Sequence, residues 1–481
     1  METFSRHSFW SQNKNIFTIS LEHALIVCGL GLMMSWPFHH TIALRYISLA
    51  LGLVLSISWF VLRRPKFLLK DYSPLLLLAA VPFWLLIHVL LFPVSPINQW
   101  AELKTLWLRV ALGIPFAFVL GILIANKKSY RSVMLVAFST YPAIMLGMWL
   151  FATLGGHTSP PSQTYIFKTK VGGVFYLMWP CLMGYALIEK SVLNFARSTG
   201  KDILKFFLSI FLAVALVAAS IFGMVLLDSL LGLIISIGVG LMMIAACLRH
   251  FSFGWKKNSI SLFLTMITIF VIFLNLGNFY KTHSPQFQSK FVPLLLDVRK
   301  SLDTEHNRTW QRFTQVQGIP DPINANGQPV NVSTYERVSW LIEGIKDLFQ
   351  NPLGTGYALG AFHFFMANQY PGSSVFKTHC GWLDIALGLG IPGLLLLWGV
   401  FGTLLNKSLI STKESRKSIQ LVVIWMLIGL WVLLWPAELG EPDYLEAIFF
   451  ALALFAGALI PKFNNENFNR YYNQVRINGM H

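Results

Sequence analysis

His379 stands in the run Lys377-Thr378-His379-Cys380-Gly381-Trp382-Leu383-Asp384, directly before a long apolar stretch. An imidazole at a membrane–water boundary titrates near neutral pH and can take a proton from a hydroxyl. Arg337 stands in Ser333-Thr334-Tyr335-Glu336-Arg337-Val338-Ser339-Trp340. Its planar guanidinium suits phosphate oxygens, and in the first turn of a helix it would oppose the macrodipole. Lys104, Arg109, Lys168 and Lys170 are further cations near the starts of apolar stretches. Each has an ordinary reading as well. A boundary histidine often only donates or accepts a structural hydrogen bond, and boundary cations snorkel to headgroup phosphates. Cys380 as a nucleophile activated by His379 is disfavoured, because adjacent helical residues do not face each other.

Other chemistry finds no support. Cys28, Cys181 and Cys247 lie in apolar runs, and no CxxC or Cys/His metal spacing occurs. P-loop, GxSxG and HExxH patterns are absent. No metal and no cofactor are therefore expected. Asn331-Val332-Ser333 matches a glycosylation sequon that arises readily by chance, while Asp228 and the turn of Glu438, Glu441 and Asp443 read as solvated acids.

The elements that must position these residues are membrane helices. Of 481 residues, 55% are hydrophobic and only 12% charged, and the mean hydropathy is +0.59. Soluble domains carry about 25% charged residues. An all-α, polytopic membrane protein follows. About 20 apolar residues make one span, and twelve such segments are expected: Leu21–Trp36, Thr41–Leu62, Ser73–Phe92, Leu106–Ala125, Ser132–Leu154, Gly172–Ile188, Phe206–Leu227, Ser229–Leu248, Ile260–Phe279, Leu383–Leu405, Ile419–Trp435 and Tyr444–Ile460. No cleavable leader is recognised, so the first helix is expected to be retained.

Alternate loops hold Arg63, Arg64, Lys66 and Lys70; Lys127, Lys128 and Arg131; Lys190, Arg197, Lys201 and Lys205; Arg249, Lys256 and Lys257; Lys407, Lys413, Arg416 and Lys417. The tails add Arg6, Lys14, Lys462, Arg470 and Arg476. The positive-inside rule then puts both termini in the cytoplasm. These segments account for the whole +16 net charge, so the basic balance is topological and no nucleic acid is expected as a partner. The other face is near neutral, and its few cations are local features.

Residues 281–380 form one long outer loop between the ninth and tenth helices, too long for a turn. It divides the chain into residues 1–280, 281–380 and 381–481. Ser333 and Glu336 read as a capping box, and Val338, Leu341, Ile342, Ile345, Leu348 and Phe349 recur at helical spacing up to Asn351-Pro352. Asn351-Pro352-Leu353-Gly354-Thr355-Gly356-Tyr357 reads as a glycine-dependent turn, and a second short helix is expected over Leu359–Asn368. The loop thus reads as a helical cap on the outer face.

The stretch from Ser333 to Leu397 resembles the O-antigen ligase and O-antigen polymerase superfamily. The Arg337 helix looks like the family's arginine-containing loop helix. Asn351–Tyr357 matches its NPLGxG turn. His379–Asp384 with Leu387-Gly388-Leu389-Gly390-Ile391-Pro392-Gly393 matches its histidine-containing entry into the next helix. These motifs cover about 65 residues directly, and the layout of about 12 transmembrane helices extends the match. The resemblance implies an enzyme of the bacterial inner membrane with its site on the periplasmic side. Such enzymes move a glycan from undecaprenyl diphosphate to a lipid A–core sugar (ligases), to another repeat unit (polymerases) or to a protein hydroxyl. By position, Arg337 takes the diphosphate-binding role and His379 the role of the histidine that activates the acceptor. Lys104, Lys168 and Lys170 correspond to the family's other outer basic residues. One departure stands out: family members often carry Ser-Arg at the outer start of a helix before the loop, and the nearest equivalent here is Ser229-Leu230.

Such a reaction needs no ATP, because a sugar on a diphosphate is already activated. It asks for cations on the departing diphosphate and a neutral imidazole beside the attacking hydroxyl, and would invert the anomeric centre. The rival class is a twelve-helix transporter or flippase. Paired halves, discontinuous helices and a charged pathway would mark that class, and none is visible in the sequence.

Overall fold

The computed structural model describes residues 2–38, 41–65, 69–155, 167, 169–197, 203–251, 294–306, 308–311, 320, 322–357, 359–410, 417–437 and 442–460. Among them the chain is helical, with one isolated bridge between Ile323 and Pro329. The helices are α1 (Glu2–Ser35), α2 (Ile42–Arg63), α3 (Ser73–Leu91), α4 (Pro96–Glu102), α5 (Leu108–Asn126), α6 (Lys128–Leu154), α7 (Lys170–Arg197), α8 (Ile203–Leu226) and α9 (Leu230–Phe251). Then come α10 (Leu294–Ser301), α11 (Val332–Gln350), α12 (Ala361–Gln369), α13 (Gly381–Ile410), α14 (Lys417–Leu433) and α15 (Pro442–Ala458). A π-helical turn, Leu103–Trp107, joins α4 to α5.

Nine of the described helices are long and apolar enough to cross a membrane, and the protein is a polytopic membrane protein. α14 and α15 are shorter, at 17 residues each. The expected ninth span, Ile260–Phe279, lies outside the described residues.

α5, α7 and α15 form the centre of the bundle. α5 and α15 touch backbone to backbone: a Cβ on Gly121 would lie 2.0 Å from the Leu454 carbonyl oxygen, and one on Gly457 would lie 1.9 Å from that of Phe118. Gly113, Ala117 and Gly121 recur every fourth residue on α5, the small-residue stripe that lets apolar helices approach closely without a hydrophobic driving force. Large apolar side chains on α2, α3 and α8, such as Val61, Phe83 and Phe211, point outward and stay exposed, as a lipid-facing surface requires.

The described residues between 294 and 380 pack on one end of this bundle, the loop end. Their own core is built on Trp310, fully buried, whose indole N–H donates to the Thr304 carbonyl while its carbonyl accepts from Trp340. The helix expected to start at Ser333 starts earlier. Asn331 is its cap, and its side chain accepts from the Thr334 amide at 3.2 Å. The Asn331 amide in turn donates to the buried Asp297 carboxylate. Arg337 therefore lies in the second turn, where the macrodipole has faded. The short helix expected at Leu359–Asn368 is α12, and α10 is an element the sequence reading did not anticipate.

Candidate functional site

The two glycine-rich motifs turn out to be two halves of one joint. Gly390 has φ 69° and ψ 177°, which breaks α13 about two and a half turns after its start. The break strands helix carbonyls inside an apolar bundle, where each needs a partner. The turn after α11 supplies them. The Thr355 amide donates to Leu387 O (3.0 Å) and the Gly356 amide to Gly388 O (2.8 Å). The Trp84 indole donates to Leu389 O (2.6 Å), and the Ile391 amide donates to Pro352 O (2.8 Å). Gly354 and Gly390 face each other so closely that a Cβ on Gly390 would lie 2.2 Å from the Leu353 carbonyl oxygen. His88 and Gln99, polar residues in an apolar setting, close the other side: the His88 ring reaches Gly354 O at 3.1 Å, and Gln99 donates to Thr355 O. Glu102 accepts from the Leu359 amide. The turn is thereby anchored among α3, α4 and α13.

This joint positions the two loop residues singled out above. α11 lies against the start of α13, where a Cβ on Gly344 would meet Thr378 Cγ2 and Leu383 Cδ2, each at 2.8 Å. One turn earlier, the Trp340 ring stacks on His379, with centroids 5.1 Å apart and an interplanar angle of 16°. Arg337 precedes Trp340 by three residues, on the same helix face, and is exposed. Arg337 thus lies one helical turn before the residue whose ring stacks on His379. His379 is held at φ +59°, a left-handed conformation that costs a non-glycine residue about 1–2 kcal/mol. Its neighbours fix it there. The Thr378 amide and hydroxyl both donate to Asp384 Oδ1, at 3.0 and 2.7 Å, and the Cys380 amide donates to the Thr378 hydroxyl. Strain held by surrounding bonds is a mark of functional turns. Burial pushes the Cys380 thiol up, which disfavours the thiolate a nucleophile needs.

The remaining described cations lie on other elements. Lys104 is exposed on the π-helical turn, two residues past Glu102, and so lies at the edge of the anchored loop. Lys170 pairs with Asp228 at 3.3 Å, both about half exposed. Asp228 is exposed, as expected of a solvated acid, and is also half of an ion pair. Lys168 lies outside the described residues. Ser229 caps α9 by accepting from the Gly232 amide, and Lys170 from α7 reaches Asp228 at the same corner.

Arg109 does not snorkel to headgroups. It is buried, 3.5 Å from Glu446 and 3.9 Å from Asp443, with its guanidinium over the Tyr46 ring. Arg45, which the sequence reading passed over, is also buried and ion-pairs with Asp443 while donating to the carbonyls of Trp36 and Phe38. The Trp36 indole donates to Glu446 at 3.0 Å. Of the acids expected to be solvated, Glu438 and Glu441 lie outside the described residues, while Asp443, with Glu446, links α1, α2, α5 and α15 through two arginines. The signal was present: two arginines and two carboxylates near span ends pair far more cheaply with each other than with lipid.

Among the described residues no group of three or more His, Cys, Asp or Glu could hold a metal ion. Compared with known proteins, the chain matches no protein-family model and no curated protein.

Proposed function

We propose that this chain is a glycosyltransferase of the O-antigen ligase kind, which moves a glycan from undecaprenyl diphosphate to a lipid A–core sugar. The single observation that carries the reading is the stack of Trp340 on His379, itself in a strained left-handed turn, with the exposed Arg337 one helical turn before Trp340. A neutral His379 takes the proton from the acceptor hydroxyl. The acceptor oxygen forms its bond to the anomeric carbon while the bond from that carbon to the diphosphate oxygen breaks. Arg337 takes up the charge that grows on the diphosphate, assisted by Lys104 and Lys170 where the lipid-linked donor spans the loop end. The anomeric centre inverts, and the proton leaves through the imidazole. The basic end of the bundle faces the cytoplasm by the positive-inside rule, and with it both termini, so the loop end faces the periplasm of a bacterial inner membrane.

One feature favours the rival class: α13 is discontinuous at Gly390, as substrate-binding helices of transporters are. Its stranded carbonyls are already taken by Thr355, Gly356 and Trp84, which leaves them no role in coordinating a solute. The test is transfer by purified protein in detergent with labelled undecaprenyl-diphosphate glycan and lipid A–core acceptor. Wild type is expected to transfer, and Arg337→Ala and His379→Ala to lose at least 100-fold each while keeping wild-type thermal unfolding. Full activity in both variants, or none in wild type, sinks the reading. Product on a repeat unit or on protein would reassign the acceptor to the polymerase or protein-transferase branch.

A further inference from the structure

At the end of the bundle opposite the loop, a cavity of about 260 Å³ opens between α5, α6, α7, α14 and α15. Its chemistry is graded. Lys128 and Arg131 from α6 and Lys190 from α7 line its mouth; Phe138 and Trp179 line its deep end. From Arg131 to Phe138 is seven residues of α6, about 10 Å along the helix axis, so the cavity extends along the helices that line it. No carboxylate lines it among the described residues. The nearest acid in sequence, Glu189, accepts the Trp425 indole hydrogen bond at 2.6 Å. Arg131 Nε is buried without a hydrogen-bond partner. α6 and α14 both begin at this mouth, so two helix N-termini add positive potential to three cations.

We infer that this cavity is a binding site for an anionic phospholipid, with one acyl chain along the apolar walls and the headgroup phosphate between Lys128, Arg131 and Lys190. Three cations around an apolar slot with no carboxylate in its described lining select a molecule with one negative end and one hydrocarbon end. A soluble phosphate would leave the slot unfilled, and a neutral lipid would leave the cations unpaired. This site is separate from the proposed transfer site and does not depend on it. Basic pockets between membrane helices recognise lipid headgroups in this way, at about 1 kcal/mol for each cation near the surface.

The full chain, delipidated in neutral detergent, would be titrated with phosphatidylglycerol, phosphatidylcholine or inorganic phosphate and read by native mass spectrometry and thermal unfolding. Phosphatidylglycerol is expected to bind and stabilise at concentrations where the other two do neither. Lys128→Gln with Arg131→Gln should weaken it about 30-fold, about fivefold per cation. Lys128→Gln alone, at an exposed position that folding does not need, should weaken it about fivefold. Lys205→Gln, an exposed cation outside the cavity, should change nothing. Equal binding of phosphatidylcholine, equal stabilisation by inorganic phosphate, or equal loss in Lys205→Gln would overturn the assignment, the last by showing a diffuse charge effect.

Discussion

Gly390→Ala tests the joint between the loop turn and the broken helix. At φ 69° and ψ 177° the backbone is in a region open almost only to glycine, and an alanine there costs about 1–3 kcal/mol. The added Cβ would also sit 2.2 Å from the Leu353 carbonyl oxygen and 2.3 Å from its carbon. Backbone atoms cannot yield as a flexible side chain would, so the turn must lift. Lifting it breaks the bonds from Thr355, Gly356 and Ile391, worth about 1 kcal/mol each. The sum is roughly 4–6 kcal/mol, large for one methyl group. Gly402→Ala is the control, on the same helix with nothing within 4 Å of the new Cβ; it is expected to be neutral or to stabilise by up to about 1 kcal/mol through helix propensity. Thermal unfolding in detergent would read the loss of stability. Amide exchange at Thr355 and Gly356 would read the joint itself, with protection lost in Gly390→Ala and kept in Gly402→Ala. If Gly390→Ala keeps both its unfolding midpoint and its protection at these two amides, the turn does not support the helix break and the argument fails.

Three further outcomes are expected. Asp347 is buried beside Glu343, with Oδ2 unpartnered and Gln369 donating to Oδ1; burial pushes its carboxyl from 3.8 up to about 6. The folded chain thus holds this proton more tightly than the unfolded one. The resulting stability is present below about pH 4 and lost as pH rises through about 6, so Asp347→Asn should stabilise the loop by about 2 kcal/mol at pH 8 and little at pH 4. Unfolding midpoints compared at both pH values check this, and a gap that is largest in acid would contradict it. Arg45→Met should destabilise by about 3–5 kcal/mol by leaving Asp443 and Glu446 undercompensated, whereas Arg45→Met with Asp443→Leu should recover part of that loss; a double-mutant cycle with no coupling would disprove the network. Cys380, buried and with its thiol pushed up, should label with a maleimide only after denaturation, and rapid native labelling would reopen the nucleophile question.

The loop shows how far the sequence reached into the site. The apolar spacing from Val338 to Phe349 revealed α11, and Asn351-Pro352 revealed where it stops, because period and proline geometry act within a few residues. The cap was misassigned by two positions, since both Asn331 and Ser333 can accept an amide hydrogen bond. The choice fell to Asn331, whose own amide is held by Asp297, 34 residues away. Arg337 and His379 were recognisable as residue types, but nothing in their spacing could reveal that Trp340 stacks on His379.

What the sequence determined by itself is the membrane class and the described apolar helices, because hydrophobic run length is local and is set by the bilayer rather than by the fold. The tertiary structure decided which polar groups meet. Arg109 and Arg45 find Glu446 and Asp443 more than 300 residues away in the chain, and the carbonyls freed at Gly390 find the amides of a turn that precedes them by about 30 residues. In an apolar interior a polar group must have a partner, yet its partner's position depends on how helices pack, and no local pattern records that.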